Sequence, residues 1–531
     1  MTSACCHEPR GVGIAVGLDR AHREAADELL RRTLSLSGAA LNERLVRRTE
    51  TGGGSVSLVA GVDCSTQATK VVVCDAASGE VVRSGRAGHP DRTEIDPAMW
   101  WSAWKQASDG ILDGVQAIAV GGQQHGMVLI EADGEPVRDA LLWNDNRSAP
   151  QAEQLIEELD GPEAWASAVG SVPVASFTVT KLRWVAEHEP DTARRAVGVV
   201  LPHDWLTHRL VDRSAEPVTD RGDASGTGYW SPGTGEYRPD IVRRAFGRDL
   251  AVPRVADPSE AVGHTAAGAV VAPGTGDNMA AALGLGLGPG DLAVSLGTSG
   301  TVYAVATQPT ADASGIVAGF ADATGAYLPL VCTLNAARVL EAAASLAGVG
   351  LVELDELAGS VDDTDGLVLL PYLDGERTPP LPDATGLLHG LTRRNATPAH
   401  LARAAVEGML CGLADAVAAL REHGVRPGRV VLIGGAARSS AVQRIAAELF
   451  GLDVHVPEPA EYVALGAARQ AAWTLAGSEQ PPDWPIEGSR LAPEPDRLAA
   501  GERVLTRYRE TLAGAGSLLG AADRRSEPAA T

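Results

Sequence analysis

The sequence predicts an α/β protein of two domains, each built around its own central sheet. Three observations lead there. At 531 residues the chain is longer than one hydrophobic core usually serves. A strand–turn–strand pattern that opens at Leu58 returns at Leu292. Between and after these two hairpins, apolar strands alternate with helical stretches, the pattern of sheets covered by helices.

Taken in order, residues 1–55 stand apart. Arg20 to Glu50 is rich in Arg and Glu and predicts one or two short helices, and Thr51-Gly52-Gly53-Gly54-Ser55 reads as a flexible linker. The first strong strand is Leu58-Val59-Ala60-Gly61-Val62. Asp63 to Thr69 makes a small, hydroxyl-rich turn, and Lys70-Val71-Val72-Val73-Cys74-Asp75 returns. Gly79 turns the chain again and Val81-Val82 starts a third strand. Leu292 to Leu296, Gly297 to Thr301 and Val302 to Val305 repeat strand, turn and strand. Laying Asp63 on Ser295 puts Ser65-Thr66 on Gly297-Thr298 and Thr69 on Thr301, which suggests duplicated domains facing one another.

Ala117-Ile118-Ala119-Val120 is a strand ending in Gly121-Gly122-Gln123-Gln124-His125-Gly126. Ala267 to Ala272 is another, ending in Pro273-Gly274-Thr275-Gly276-Asp277. Thr397 reads as the N-cap of an Ala-rich helix with Pro398 at its first position, running to about Glu422 and stopping near Gly424. Arg429 to Ile433 is a buried strand that leads into Gly434-Gly435-Ala436 and a helix through Phe450. Ligands of α/β sheets sit beyond the strand ends, where these glycines and polar residues gather.

The composition narrows the function. With 45% hydrophobic and only 4% aromatic residues, the core is made mainly of Ala, Val and Leu. A formal charge of -23 repels phosphate backbones and anionic membranes, so neither nucleic acid nor a membrane is an expected partner. Six cysteines without a CxxC pair fit free thiols in a reducing compartment, here the cytoplasm. Cys5-Cys6-His7 is more simply an incidental tail cluster than a metal site. No apolar run is long enough to span a bilayer, and Gly11 to Leu18 lacks a signal-peptide cleavage site.

Common nucleotide motifs are absent. The three lysines, Lys70, Lys105 and Lys181, do not follow glycine, so there is no Walker A loop, and no GxGxxG occurs. A tight Gly/Ser/Thr turn still exposes consecutive N–H groups and hydroxyls to an anion, and two such turns suit a triphosphate clamped across a cleft. Asp63, beside the first turn, is placed to hold magnesium directly or through water, and Lys70 to add charge; the plainer reading of Asp63 is a turn-stabilising Asx residue. Gly434-Gly435 lets a flat ring or ribose approach the backbone, although such pairs also simply end strands. Asp277 is the candidate general base, with the helix N-cap as its structural alternative. Gln124, His125, Trp143, Asn144 and Asp145 supply the short polar groups and aromatic face that a polyol needs.

These segments, in this order, resemble the FGGY carbohydrate kinases, and within them the xylulokinase branch. Val62 to Lys70 resembles the first phosphate hairpin. Asp96-Pro97 with Trp100-Trp101, Gly122 to Gly126 and Leu142 to Asp145 are similar to the segments that frame the sugar. Gly274-Thr275-Gly276-Asp277-Asn278 resembles the catalytic-base motif, and Ser295 to Gly300 the second phosphate hairpin. Leu370 to Pro379 and Gly434 to Ser439 complete the set. The resemblance covers about Val56 to Leu519. It implies two actin-like (ribonuclease-H-like) domains with an interdomain active-site cleft: 56–288 with the sugar site and first hairpin, and 289–519 with the second hairpin and adenosine motif. Residues 1–55 are left as an extension and 520–531 as a polar tail.

It further implies ATP and Mg2+ as cofactors and a small-molecule sugar as substrate. Asp277 would deprotonate the sugar and Asp63 would help to position magnesium, with both carboxylates reaching the metal through water or phosphate. Gln124, His125, Trp143, Asn144, Asp145 and Asn278 would hold the sugar. Ser65, Thr66, Lys70, Gly297, Thr298, Gly434, Gly435 and Ala436 would line the ATP site. D-xylulose is the implied substrate, phosphorylated to D-xylulose 5-phosphate. The alternatives are kinases of ribulose, fuculose or gluconate, or a non-catalytic actin-like sugar- and ATP-binding protein. Gln124 replaces a frequent Met of the branch and Ala436 a frequent third Gly. A homodimer is left open.

Overall fold

The computed structural model describes residues 56–211 and 216–519. The linker, the helices expected upstream of it, Cys5-Cys6-His7 and the polar tail lie outside these residues.

The first sheet is assembled from β1 (Leu58–Cys64), β2 (Ala68–Asp75), β3 (Val81–Gly88), β4 (Val115–Gly122), β5 (Gly263–His264), β6 (Val270–Val271) and β7 (Thr275–Gly276). Its order is β5-β6-β4-β1-β2-β3, with β7 continuing along the end of β4. β1, β2 and β3 form an antiparallel meander, while β4 and β6 run parallel to β1. The strand expected over Ala267 to Ala272 pairs only at Val270 and Val271, because Gly268 (φ 87°) turns the chain just before it.

The second sheet repeats the plan with β8 (Asp291–Leu296), β9 (Gly300–Ala304), β10 (Ala318–Ala321), β11 (Tyr327–Thr333), β12 (Arg429–Ile433), β13 (Asp453–Pro457) and β14 (Gly488–Leu491). The order is β10-β11-β9-β8-β12-β13-β14. β11-β9-β8-β12-β13 therefore matches β3-β2-β1-β4-β6 in order and direction, the ribonuclease-H-like arrangement twice over. The duplication is offset by one residue from the sequence alignment. Asp63 pairs with Lys70 and Ser295 with Thr301, so Lys70, not Thr69, occupies the position of Thr301. The first turn is one residue longer, a detail that turn chemistry alone does not fix.

Helices cover both sheets. α1 (Pro97–Ser108), capped by the Asp96 carboxylate on Ala98 N, and α2 (Pro202–Leu210) bury Trp100, Trp104, Trp205 and Leu206 on one face of the first sheet. α3 (Asp277–Gly284) buries Met279, Ala282 and Leu283 against Ala293, Tyr303 and Leu330 of the second sheet. α4 (Pro398–Glu422), capped by the Thr397 hydroxyl on His400 N, lies on the opposite face with α5 (Ser440–Phe450). The helix α6 (Tyr462–Ala476) crosses back from the second half. Its Ala464, Ala467, Ala468 and Ala471 pack on Val59, Val72 and Ala119 of the first sheet. A methyl group there is worth about 0.8 kcal/mol. The small face matters more for closeness, since a Cβ on Gly466 would stand 1.8 Å from Ala280 O of α3. No helix among the described residues is long and apolar enough to cross a membrane.

Candidate active site

Three neighbouring strand ends converge in the first half. Asp63 is the penultimate residue of β1 and pairs with Gly121 of β4, and Gly122 of β4 pairs with Gly276, the residue before Asp277. The sheet itself thus brings Asp63, the loop Gln123 to His125 and Asp277 together. Gly276 is required by close approach: a Cβ there would meet Gln124 Cγ at 2.7 Å.

Asp277 is the first residue of α3, and Gly276 is its cap, so the carboxylate does not serve as the N-cap that its residue type suggested. It turns to its neighbour, and Oδ1 accepts from Asn278 N at 2.8 Å and from Asn278 Nδ2 at 3.0 Å. The same Nδ2 donates to Gln124 Oε1 at 2.9 Å. Burial first, then the nearby charges of Asp63 and Asp223, push the Asp277 carboxyl up to about 7. Asp277 and Asn278 keep partial exposure. A carboxylate poised there can accept a proton from an alcohol at neutral pH.

His125 has φ 65° and a part-buried ring stacked on Phe177 at 4.7 Å and beside Phe320 of β10 at 5.6 Å. Its Nδ1 lies 2.6 Å from Gly226 O, so Nδ1 carries the proton and donates. Burial holds the ring well below its ordinary range, pushed down to about 3. At neutral pH the imidazole is uncharged and Nε2 is an acceptor. Gln124 Nε2, Asn144 Oδ1 and both amide atoms of Gln123 are buried without a partner among the described residues. Buried amide groups of this kind can still donate to or accept from a ligand hydroxyl or a water.

Other expected residues are held differently. Asp145 Oδ1 accepts from Arg147 N and Nε, while Oδ2 accepts from Arg147 Nη2 and Thr93 Oγ1, so its carboxylate is saturated by its own loop. Trp143, 38% exposed, donates through Nε1 to Thr66 Oγ1 at 2.9 Å and ties its own loop to the first hairpin. Ser65 donates to Asp63 Oδ1. Lys70 Nζ lies 3.3 Å from Asp63 Oδ2 and 2.6 Å from Glu461 Oε2, beside α6. Burial alone would lower Lys70, but these two carboxylates outweigh it and raise its pKa. Lys70 thus clips the hairpin to α6.

In the second half Gly297 is part-buried and Thr298 exposed at the turn between β8 and β9. Ser295 and Thr301 pair behind it. Gly434 (φ 96°) is open to solvent, and any Cβ on it would strike Leu296 O at 2.5 Å. A Cβ on Gly435 would meet nothing within 4 Å, so a planar group can lie there. Ala436 points inward: it is buried within the core cluster of α4 and α5, so only its backbone can face a nucleotide.

The sequence reading missed a buried cluster beneath the pocket. His203, on α2, places Nδ1 2.7 Å from Asp223 Oδ2 and Nε2 3.1 Å from Asp204 Oδ1 and 3.9 Å from Asp220 Oδ1. Asp220 Oδ2 accepts from Thr275 Oγ1 at 2.7 Å, two residues before Asp277. All four ionisable groups are at most 2% exposed. Burial pushes Asp204 up to about 7 and Asp223 up to about 6. Although burial is also the largest influence on His203, the carboxylates overcome it and raise the imidazole to about 9. The signal available was Pro202-His203-Asp204 at a helix start and Asp220 as the cap of residues 221–224, both of which read as ordinary capping.

Residues 58–284 match the N-terminal domain of the FGGY family of carbohydrate kinases, and residues 292–475 its C-terminal domain. Among known proteins, the xylulose kinase of Streptomyces coelicolor is 48% identical over 478 residues, covering 87% of this chain and 97% of that relative. The xylulose kinase of Escherichia coli is 34% identical over 473 residues, with 83% and 95% covered. The crystal structure of the xylulose kinase from Bifidobacterium adolescentis superposes with a TM-score of 0.80 at 43% identity, covering 86% of this chain and all of that one.

Proposed function

The chain belongs to the FGGY family of carbohydrate kinases, and we propose from that premise that it phosphorylates D-xylulose to D-xylulose 5-phosphate, with Asp277 as general base. ATP is the phosphoryl donor. The observation that carries the residue roles is the bridge made by Asn278, whose one amide nitrogen touches both Gln124 and Asp277. A sugar hydroxyl that reaches this amide lies beside a carboxylate with a pKa near 7 and beside the acceptor Nε2 of a neutral imidazole. Gln123, Gln124 and Asn144 supply further amide groups for the other hydroxyls. Asp145 acts one step back, by fixing the loop that carries Asn144.

The turns around Ser65-Thr66 and Gly297-Thr298 receive the phosphates, with Gly434-Gly435 beneath the adenosine. The residues present fit magnesium: Asp63 offers a carboxylate at the strand end, and among the described residues no group of three or more His, Cys, Asp or Glu side chains is arranged to hold a metal ion by itself. That sparse donor set suits an ion which takes one or two carboxylates and leaves its other positions to phosphates and water. Asp63 would hold it, with Asp277 nearby, and the ion would supply neutralising charge to the phosphates. An enzyme consuming ATP finds it in the cytoplasm, where we expect this one to act.

The test is a coupled assay of ADP release over D-xylulose, ribulose, fuculose and gluconate with Mg2+ and ATP. The highest kcat/KM is expected with D-xylulose; an equal or higher value with ribulose overturns the choice of sugar, and no sugar-dependent release overturns the kinase reading.

A further inference from the structure

Phosphoryl transfer spreads negative charge over the moving group, and cationic side chains ordinarily meet it. Most cations near the strand ends are already engaged. Lys70 is bound by Asp63 and Glu461, and Lys181 Nζ is sealed under the carbonyls of Ala175 and Ser176. Arg147 is bound to Asp145 and Glu94, and Arg221 donates to Ala326 O with Asp322 at 3.6 Å.

Arg377 differs. It is exposed, and no carboxylate lies within ion-pair distance of it among the described residues. Its loop is nonetheless fixed. Glu376, 4% exposed, accepts through Oε1 from Leu334 N at 2.6 Å and Arg377 N at 2.7 Å, and through Oε2 from Asn335 Nδ2 at 2.9 Å. On the other side Thr378 Oγ1 donates to Cys332 O at 2.9 Å. Both neighbours of Arg377 are therefore clipped to the end of β11, where Thr333 pairs with Gly300 of the second phosphate turn. The charge of Arg377 acts on the Cys332 thiol, against the burial that raises it. Cys332 pairs with Thr301 and shares its sheet face with Leu330 and Tyr303, the face on which α3 packs. The charge of Arg377 also reaches the His125 ring. A rigidly mounted, unpaired cation thus stands between the second phosphate turn and the sugar pocket.

We propose that Arg377 is a catalytic residue of the transfer step, its guanidinium contacting the phosphoryl group as it passes from ATP to the sugar. The inference rests on the kinase reading above. In that step the sugar hydroxyl gives its proton to Asp277 and its oxygen forms the new P–O bond. The bond from the γ-phosphorus to the β–γ bridging oxygen breaks, and its electron pair leaves with ADP. Arg377 neither gives nor takes a proton; it stabilises the charge on the three oxygens of the moving group. The Glu376 carboxylate on one side and the Thr378 hydroxyl on the other hold the loop, which removes the need to order it during turnover.

The experiment compares the wild type with Arg377→Met and Arg377→Lys. The wild type is first run on the sugar panel; if it phosphorylates nothing, the kinase reading fails and this proposal with it. If it turns over, Arg377→Met is expected to lose roughly 10²–10³-fold in kcat, with KM for the sugar changed less than about threefold. Arg377→Lys should fall between the two. A second readout does not depend on turnover. Affinity for ADP with aluminium fluoride and sugar, a mimic of the moving phosphoryl group, should drop by a similar factor in Arg377→Met, while affinity for ADP alone stays unchanged. A loss in kcat smaller than about tenfold, or equal weakening of both complexes, overturns the role of Arg377 and leaves the kinase reading intact.

Discussion

Replacing Asp277 with Asn keeps the shape of the side chain and removes the one carboxylate that touches Asn278 in the pocket. The amide oxygen can still accept from Asn278, but the side chain can no longer take a proton. General-base catalysis is typically worth 10²–10⁴-fold, so kcat should fall by that range. Sugar binding should change little, since Gln124 and His125 are untouched. The structure also gives the effect on stability. The Asp277 carboxyl is raised from an ordinary 3.8 to about 7, chiefly by burial and then by Asp63 and Asp223. The folded protein therefore disfavours the ionised form. That penalty is absent below about pH 4, grows between pH 4 and 7, and is fully present above. For a fully dry site that rise corresponds to about 4 kcal/mol, and the partial exposure of Asp277 reduces it to about 2 kcal/mol. Asp277→Asn should therefore melt higher than the wild type at pH 8 and nearly equal to it at pH 4. The assays are stopped-time ADP release and calorimetric melting at both pH values. In the wild type, kcat should rise about tenfold from pH 6 to pH 8, as the base ionises. Turnover of Asp277→Asn within threefold of the wild type would refute the assignment, and a lower melting point at pH 8 would refute the electrostatics.

Three further outcomes follow from the geometry. His125→Ala removes the acceptor Nε2 and should raise the sugar KM at least tenfold with little change in the ATP KM; as the ring is neutral down to about pH 3, no step in the wild-type sugar KM should appear near pH 6.5. His203 gains a proton-bound form on folding, so its stabilisation is whole below its ordinary 6.5 and fades as pH rises through about 9. The raised carboxylates of Asp204 and Asp223 act in the same direction, and stability should fall steadily from pH 6 to pH 10. His203→Gln should cost on the order of 3 kcal/mol at pH 6 and much less at pH 10, as read by chemical denaturation. Chelation of Mg2+ should abolish sugar-dependent ADP release without lowering the melting point, since Asp63 is already held by Lys70 and Ser65.

Much of this site was legible in the chain because the signals are local. A strand that ends in Gly121-Gly122 and a turn built from Gly297 to Gly300 announce themselves in a few residues. The Thr397 cap and the Pro398 start follow from their own chemistry, and the helix begins there. Other features depend on residues far apart. The sequence offers Lys70 as a charge for phosphates and Asp145 as a polar group for a sugar, but Glu461 and Arg147, which bind them, are identified only by the tertiary structure. The four-residue cluster around His203 spans positions 203 to 223, and nothing in its spacing shows that α2 and the loop from 220 to 223 share one dry volume.

The sequence by itself determined that two like hairpins head two halves, that the halves are α/β, and that Asp63, Gln124, His125 and Asp277 sit at strand ends. Alternation of apolar residues and turn chemistry fix these because they act over one or two turns of chain. Only the tertiary structure decided the one-residue offset between the hairpins, the inward aim of Ala436, and the return of α6 onto the first sheet. It also decided which charges stay unpaired, Arg377 among them. Burial and ion pairing are properties of neighbours in space, and the chain brings those neighbours together only after both sheets have formed.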